Sequence, residues 1–236
     1  MAIVKIWNIS DSHARHNELI IPEADMVIHA GDSTHDKVTY NFNETMSFFN
    51  WFDVINFDKK ILIAGNHDGS LQSKEVISPD YYIQDKMTKY KKIKIYGTPW
   101  TPEYGTWSFM LTEKEEINWA KKIPPCDILV THGPPKFILD SVFKGNNYEH
   151  CGSLELYHRV NKIKPKLHIF GHIHSSVNNK YPANNGVFFN GTTWFINASC
   201  CSDGVGVPLT SHGWIVEMDE ETKNIIKIYR NEQKKT

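Results

Sequence analysis

The stretch Leu167-His168-Ile169-Phe170-Gly171-His172-Ile173-His174 constrains this chain more than any other. An apolar run delivers a glycine and then two imidazoles at i and i+2, and in an extended segment such residues project from one side of the backbone. Gly171 lets the chain turn sharply where a strand would hand those side chains over, which puts them at a strand end, where loops carry chemistry. In isolation, a His-x-His reads better as two surface histidines in a turn. Four upstream segments that end in the same way reverse that reading and point to metal ligation.

Those segments are apolar runs over residues 2–9, 25–30, 60–64 and 127–130, each predicted to be a buried strand. They end respectively at Asp11 and His13, at Asp32, at Asn66, His67 and Asp68, and at His132. Phe42, Met46, Phe49 and Phe52 recur at spacings of three and four, which predicts an amphipathic helix over 40–57. Thr112 with Glu115 forms a capping box for a helix to about 122, and Ser153 caps another to about 163. This rhythm of strand, polar turn and helix predicts an α/β fold. Short β pieces are expected over 81–96, a Pro-punctuated aromatic loop over 97–107 and a Gly/Asn-rich loop around 145. Residues 186–229 read as β, with a hairpin turning near 219–222.

Length and composition narrow the partners. At roughly 150 residues per domain, 236 residues read as a single domain spanning 1–236. With 26 basic against 27 acidic residues there is no excess to serve a polynucleotide or anionic lipid, and the lysines from 86 to 94 read as a solvated hairpin face. No apolar run of about 18 residues is present, so no membrane span is expected. Residues 1–10 alternate like a strand leading into Asp11, which argues against a signal peptide. The four cysteines lack Cys-x-x-Cys spacing, and a reduced cytoplasmic protein is the expectation. A second copy of the chain, as a homodimer, is an admissible partner.

The donors at the strand ends are carboxylate and amide oxygens and imidazoles, with no thiolate. That set points to a hydrolytic Mn, Fe, Ni, Zn or Mg site and away from a structural zinc. Two ions fit better than one, because the side chains exceed the capacity of a single ion. Asp32, a lone carboxylate after a glycine, is suited to bridging them.

In order, Asp11-Ser12-His13, Gly31-Asp32, Gly65-Asn66-His67-Asp68, His132-Gly133 and Gly171-His172-Ile173-His174 resemble the signature of the calcineurin-like metallophosphoesterase superfamily. The wording around these blocks, with Tyr96-Gly97-Thr98-Pro99-Trp100 and Phe195-Ile196-Asn197-Ala198-Ser199, is similar to its branch of metallophosphoesterase-domain-containing phosphodiesterases. The resemblance implies a four-layer αββα sandwich, two mixed β-sheets flanked by helices. It implies two divalent metal ions, manganese first, one held by Asp11, His13, Asp32 and His174 and the other by Asp32, Asn66, His132 and His172. His67 would leave the ions and face the scissile phosphate, and a metal-activated hydroxide would attack phosphorus.

Other assignments are open at this level. Asp68 either orients His67 or caps a turn. Arg15 and His16 either touch a phosphate oxygen or sit in a solvated loop. Trp100, Tyr104 and Trp107 either stack a flat group or pack in the core. His29 and His168 read as core histidines. His35, His150, His158 and His212 have no evident partner, although His35 and His150 lie in loops that can reach the site. The substrate expected is a small phosphodiester, cyclic nucleotides foremost. A protein phosphatase of the same superfamily would resemble Gly-Asp-x-x-Asp-Arg-Gly where this chain has Gly31-Asp32-Ser33-Thr34-His35-Asp36-Lys37, without the arginine. A metal-binding scaffold with vestigial activity would be expected to have lost ligands or His67.

Overall fold

The structure is a computed structural model that describes residues 2–35, 42–74, 76–174, 186–202 and 208–232. The elements run β1 (Ile3–Ile9), a 3-10 turn (His16–Glu18), β2 (Met26–Ala30), α1 (Phe42–Val54), β3 (Lys59–Ile63), α2 (Gly69–Gln72), β4 (Lys86–Tyr90) and β5 (Ile93–Thr98). Next come β6 (Thr101–Pro102), β7 (Met110–Leu111), α3 (Glu113–Lys122), β8 (Ile128–Thr131), β9 (Ser141–Lys144), β10 (Asn147–His150), α4 (Leu154–Ile163) and β11 (Leu167–Phe170). The last strands are β12 (Val187–Phe189), β13 (Trp194–Asn197), β14 (Trp214–Asp219) and β15 (Ile225–Arg230).

Two mixed sheets result, one in the order β15-β14-β1-β2-β3, the other in the order β12-β13-β11-β8-β5-β4. Their facing sides share one apolar core, with Val4, Ile6, Ile28 and Ile61 from the first sheet against Ile95, Ile128, Val130 and Ile169 from the second. The alternate residues of the same strands face outward. Trp7, Val27 and Leu62 pack with Phe48, Phe49 and Phe52 of α1, while Leu129, Phe170 and Phe195 pack with Trp119 of α3 and Leu156 and Val160 of α4. Because a strand's side chains alternate and both faces are covered, these strands read as continuous apolar runs. Each side chain fully buried in these layers contributes about 1.5–3 kcal/mol. The layers stack as α, β, β, α, as the resemblance implies.

The helix signals act where they were read. The Thr112 side chain and N3 backbone, and the Glu115 side chain and Thr112 backbone, close a reciprocal capping box on α3, and Ser153 Oγ accepts from Leu156 N at 2.9 Å at the start of α4. Helix α1 begins within the span expected, of which residues 40 and 41 lie outside the described residues. Two loops hold more order than expected. Residues 141–150 form the β9–β10 ribbon, turning at Gly145 with φ +62, and Thr101–Pro102 pairs in parallel with Met110–Leu111. Neither pair presents a buried alternating face, so the apolar periodicity that marks the other strands is missing. No helix among the described residues is long and apolar enough to cross a membrane.

Strands β1, β2 and β3 run parallel in one sheet, and β5, β8, β11 and β13 run parallel in the other. A parallel bridge between Ser10 and Ser199 and a 2.9 Å bond from Cys200 N to Ser10 O tie the end of β1 to the end of β13. The C-terminal ends of both parallel sets therefore meet on one rim.

Candidate metal centre

That rim carries every residue assigned above to the two ions. Asp11 and His13 follow β1, Asp32 follows β2, Asn66 and His67 follow β3, His132 follows β8, and His172 and His174 follow β11. The turns that present them are tight: Asp11, His13, Asp32 and His172 hold positive φ of 52, 42, 56 and 69, conformations that cost non-glycine residues on the order of 1–3 kcal/mol each. At Gly171 a Cβ would fall on the Asp11 carboxylate and Ser10 Oγ, so only glycine lets β11 approach that closely.

Three sets of donors converge, with atoms in each within 4.8 Å of one another: Asp11, His13 and His174; His13, Asp32 and His67; and Asp32, His132 and His172. Asp11 Oδ1 lies 3.0 Å from His174 Nε2, its carboxylate accepts from His172 N at 3.0 Å, and Ser199 Oγ donates to it at 2.8 Å. Asp32 Oδ1 accepts from His67 N at 2.8 Å, and its Oδ2 lies 3.3 Å from His132 Nε2. His132 Nε2 is also 2.9 Å from Asn66 Oδ1. The backbone fixes the rings, since His132 Nδ1 bonds Ala30 O at 2.9 Å and His13 Nδ1 bonds Thr34 O at 3.1 Å. Both rings are thus left with Nε2 toward the other donors, the orientation that a neighbouring carbonyl imposes on a ligating histidine.

The electrostatics follow from burial and charge. Burial works to raise the Asp11 and Asp32 carboxyls, yet the imidazoles around them hold both below the usual carboxylate range, His174 foremost for Asp11 and His132 for Asp32. Burial pushes His13 down to about 4 and His172 to about 3. For His132, burial is outweighed by the charge and hydrogen bond of Asp32, and the ring rises to about 9. Two ionised carboxylates in a buried rim are costly unless paired, and hard oxygens with imidazoles and no thiolate suit divalent cations. The residues fit the metal centre that the resemblance implies.

The structure gives definite partners to several residues whose roles the sequence left open. Asp68 does not touch the His67 ring. Its buried carboxylate accepts from Asp32 N, Ser33 N and Oγ, Thr34 N and Oγ1, and Gly65 N, so it knits the loop after β2 to the loop after β3. Burial, aided by the charge of Asp32, pushes that carboxyl up. The His67 ring is oriented instead by the backbone of His35, with Nδ1 2.9 Å from its carbonyl oxygen, and His67 Nε2 stands 3.9 Å from Asp32 Oδ2. His16 is buried against Phe48 and Trp51, with Nε2 3.2 Å from Ser47 Oγ, away from the rim. Trp100 donates Nε1 to Asp85 Oδ2 at 2.8 Å and packs on Phe109, so it does not serve as a stacking face at the centre. Arg15 Nε donates to Glu18 Oε1 at 3.0 Å.

Trp107 does reach the site, its ring 4.6 Å from that of His67. Tyr104, from the same loop, lies 5.3 Å from the His172 ring. The loop is drawn inward by Ser108 N bonding Asn66 O at 3.2 Å. Ser199, which holds Asp11, was visible only as a polar residue closing the apolar run of β13. His29 and His168 are buried within strands, as read. The other histidines have partners: His35 N donates to Glu44 Oε2, His150 pairs with Asp140, His158 lies against Tyr157, and His212 Nδ1 accepts from Ile20 N.

Facing sheets, flanking helices and a rim of Asp, Asn and His at parallel strand ends are the arrangement that the resemblance implies. Residues 4–176 match the family described as Calcineurin-like phosphoesterase, and the chain belongs to that divalent-metal-dependent family. It is 31% identical over 225 residues to Metallophosphoesterase domain-containing protein 1 of Homo sapiens, covering 82% of this chain and 65% of that protein. It is 32% identical over 224 residues to UPF0046 protein C25E10.12 of Caenorhabditis elegans, covering 84% of this chain and 75% of that one. This chain thus spans somewhat less than two thirds of the human relative. Among solved structures, a phosphatase of Mycoplasma pneumoniae shares the fold at TM-score 0.56 and 14% identity, over 98% of this chain and 93% of that chain.

Proposed function

We propose that this phosphoesterase is a phosphodiesterase working with two divalent cations, manganese first, and that cyclic nucleotides are its foremost substrate class. The observation that supports the reading is the position of Asp32, a carboxylate grouped with His13 and His67 on one side and with His132 and His172 on the other. Asp11, His13, Asp32 and His174 would hold one ion, and Asp32, Asn66, His132 and His172 the other. When bound, such ions supply an activated water at neutral pH and neutralise phosphoryl oxygens.

The chain's own groups do the rest. Ser199 and His172 N hold Asp11 in place, and Asp68 clamps the turn that carries Asp32. His67 Nδ1 is engaged by His35 O, so Nε2 is the atom that, when protonated, gives its proton to the leaving oxygen. Preference for diesters rests on the arginines. A monoester dianion calls for a guanidinium fork beside the ions, but Arg159 is bonded to Ile123 O, Arg230 lies over Trp214, and Arg15 is bonded to Glu18. Chelated protein reconstituted with manganese should show a higher kcat/KM for bis-nitrophenyl phosphate than for nitrophenyl phosphate. A clear monoester preference would defeat this reading.

A further inference from the structure

Beside the centre lies a cleft of about 470 Å³, within the range of small-molecule sites. It is lined by His172 and His174, by Tyr104, and by Val142, Lys144 and Cys151 of the β9–β10 ribbon and the residue just beyond it. We propose that this cleft seats the organic substituent of the phosphoester, a neutral planar ring stacked on Tyr104, and that the ribbon is the wall that selects it. The proposal rests on the phosphodiesterase reading above.

Four observations carry it. Two candidate metal ligands, His172 and His174, line the cleft, so a group in it is within reach of a phosphate at the ions. Tyr104 presents an aromatic ring at the centre, 5.3 Å from that of His172. The charges disfavour a second phosphate: Lys144 is paired with Glu149 at 2.9 Å, and Glu103 adds another carboxylate to the lining. Finally, the ribbon is fixed although it has no place in the core, with all of β10 and half of β9 exposed. At its base the fully buried Asp140 accepts from Phe137 N and Gly152 N at 3.0 Å each and pairs with His150 Nδ1 at 2.6 Å. A buried carboxylate spent on anchoring an exposed ribbon is accounted for if that ribbon shapes a binding wall.

Cys151 gives a direct readout, because it is half-buried in the cleft while Cys126, Cys200 and Cys201 are buried. In the manganese-loaded chain, modification of Cys151 by N-ethylmaleimide is followed by mass spectrometry with adenosine monophosphate or ribose phosphate present. Adenosine monophosphate should slow modification by roughly fivefold or more beyond ribose phosphate, the scale of base stacking on an aromatic ring. Equal protection by the two, or none by either, would overturn the proposal. Val142→Trp, which fills the cleft, should raise KM for cyclic AMP about fivefold to a hundredfold more than it raises the inhibition constant of ribose phosphate, which carries no planar ring; equal shifts would also overturn it. Base-dependent protection without diester turnover would defeat the phosphodiesterase reading and leave the cleft assignment standing. Diester turnover with neither base-dependent protection nor selective KM change would do the reverse.

Discussion

The two sheets bring opposite chemistry to the same rim. Through the turns after β1, β2 and β3, the first supplies both carboxylates, Asp11 and Asp32, and the amide of Asn66, alongside His13 and His67. The second, after β8 and β11, supplies only imidazoles, His132, His172 and His174. Each sheet also buries one histidine on its outer face: His29 in β2, 3.0 Å from Ser12 Oγ, and His168 in β11, 2.9 Å from Thr131 Oγ1. Burial pushes both of these to about 3, while His132, which crosses the seam to Asp32, rises to about 9. Of these three buried rings, only His132 lies against a carboxylate, that of Asp32. The seam carries its own counter-charge, and the apolar core between the sheets joins them independently of any ion.

Removing the shared carboxylate should have the largest effect. Asp32→Ala should reduce diester turnover to background and lose both ions on calorimetric titration, whereas His172→Ala, from the second sheet, should lose one. Equal ion losses would erase the asymmetry between the sheets. His67→Ala should retain both ions and lose about a hundredfold to ten-thousandfold in kcat, less for nitrophenol esters, whose leaving group needs little protonation. A matching loss for good and poor leaving groups would remove the acid role.

The next effect is on stability. Asp68→Ala leaves the donors of two ligand loops in the first sheet without their acceptor, and urea unfolding should show a loss of about 3 kcal/mol or more. A change below about 0.5 kcal/mol, the scale of ordinary surface substitutions, would mean the clamp is dispensable. Last is the acid limb, read as a slope per pH unit. His29 and His168 have folded pKa values near 3, below the ordinary value of 6.5, so the unfolded chain takes up their protons first. The stability they contribute is complete above about 6.5 and drains as pH falls toward 3, at up to about 1.4 kcal/mol per pH unit for each group. Urea unfolding of His168→Gln across that window should show a slope reduced by one proton, with His29 retaining its share. An unreduced slope would mean that His168 is not held neutral.

The same contrast explains what could be read before the structure. Strands whose two faces are both buried declare themselves as apolar runs, and the capping residues Thr112, Glu115 and Ser153 carry their hydrogen-bonding logic within four residues. Metal-site donors were legible because each sits within a few residues of such a run. Asp68 stayed open because adjacency to His67 in sequence says nothing about which loop its carboxylate faces. His16 follows the His13 turn in sequence but enters the α1 layer. Tyr104 and Trp100 belong to one aromatic stretch, and the pull of Ser108 N on Asn66 O, a contact distant in sequence, decides which of them meets the site. The β9–β10 ribbon escaped notice because its exposed residues follow no core periodicity.

The central claim, that the seam holds two ions with Asp32 between them, is tested most directly by anomalous scattering from crystals of the manganese-loaded chain. The account predicts two peaks about 3.5–4 Å apart with an Asp32 oxygen on both, His132 and His172 on one and His13 and His174 on the other. A single peak, or two peaks with Asp32 bound to only one, would contradict it.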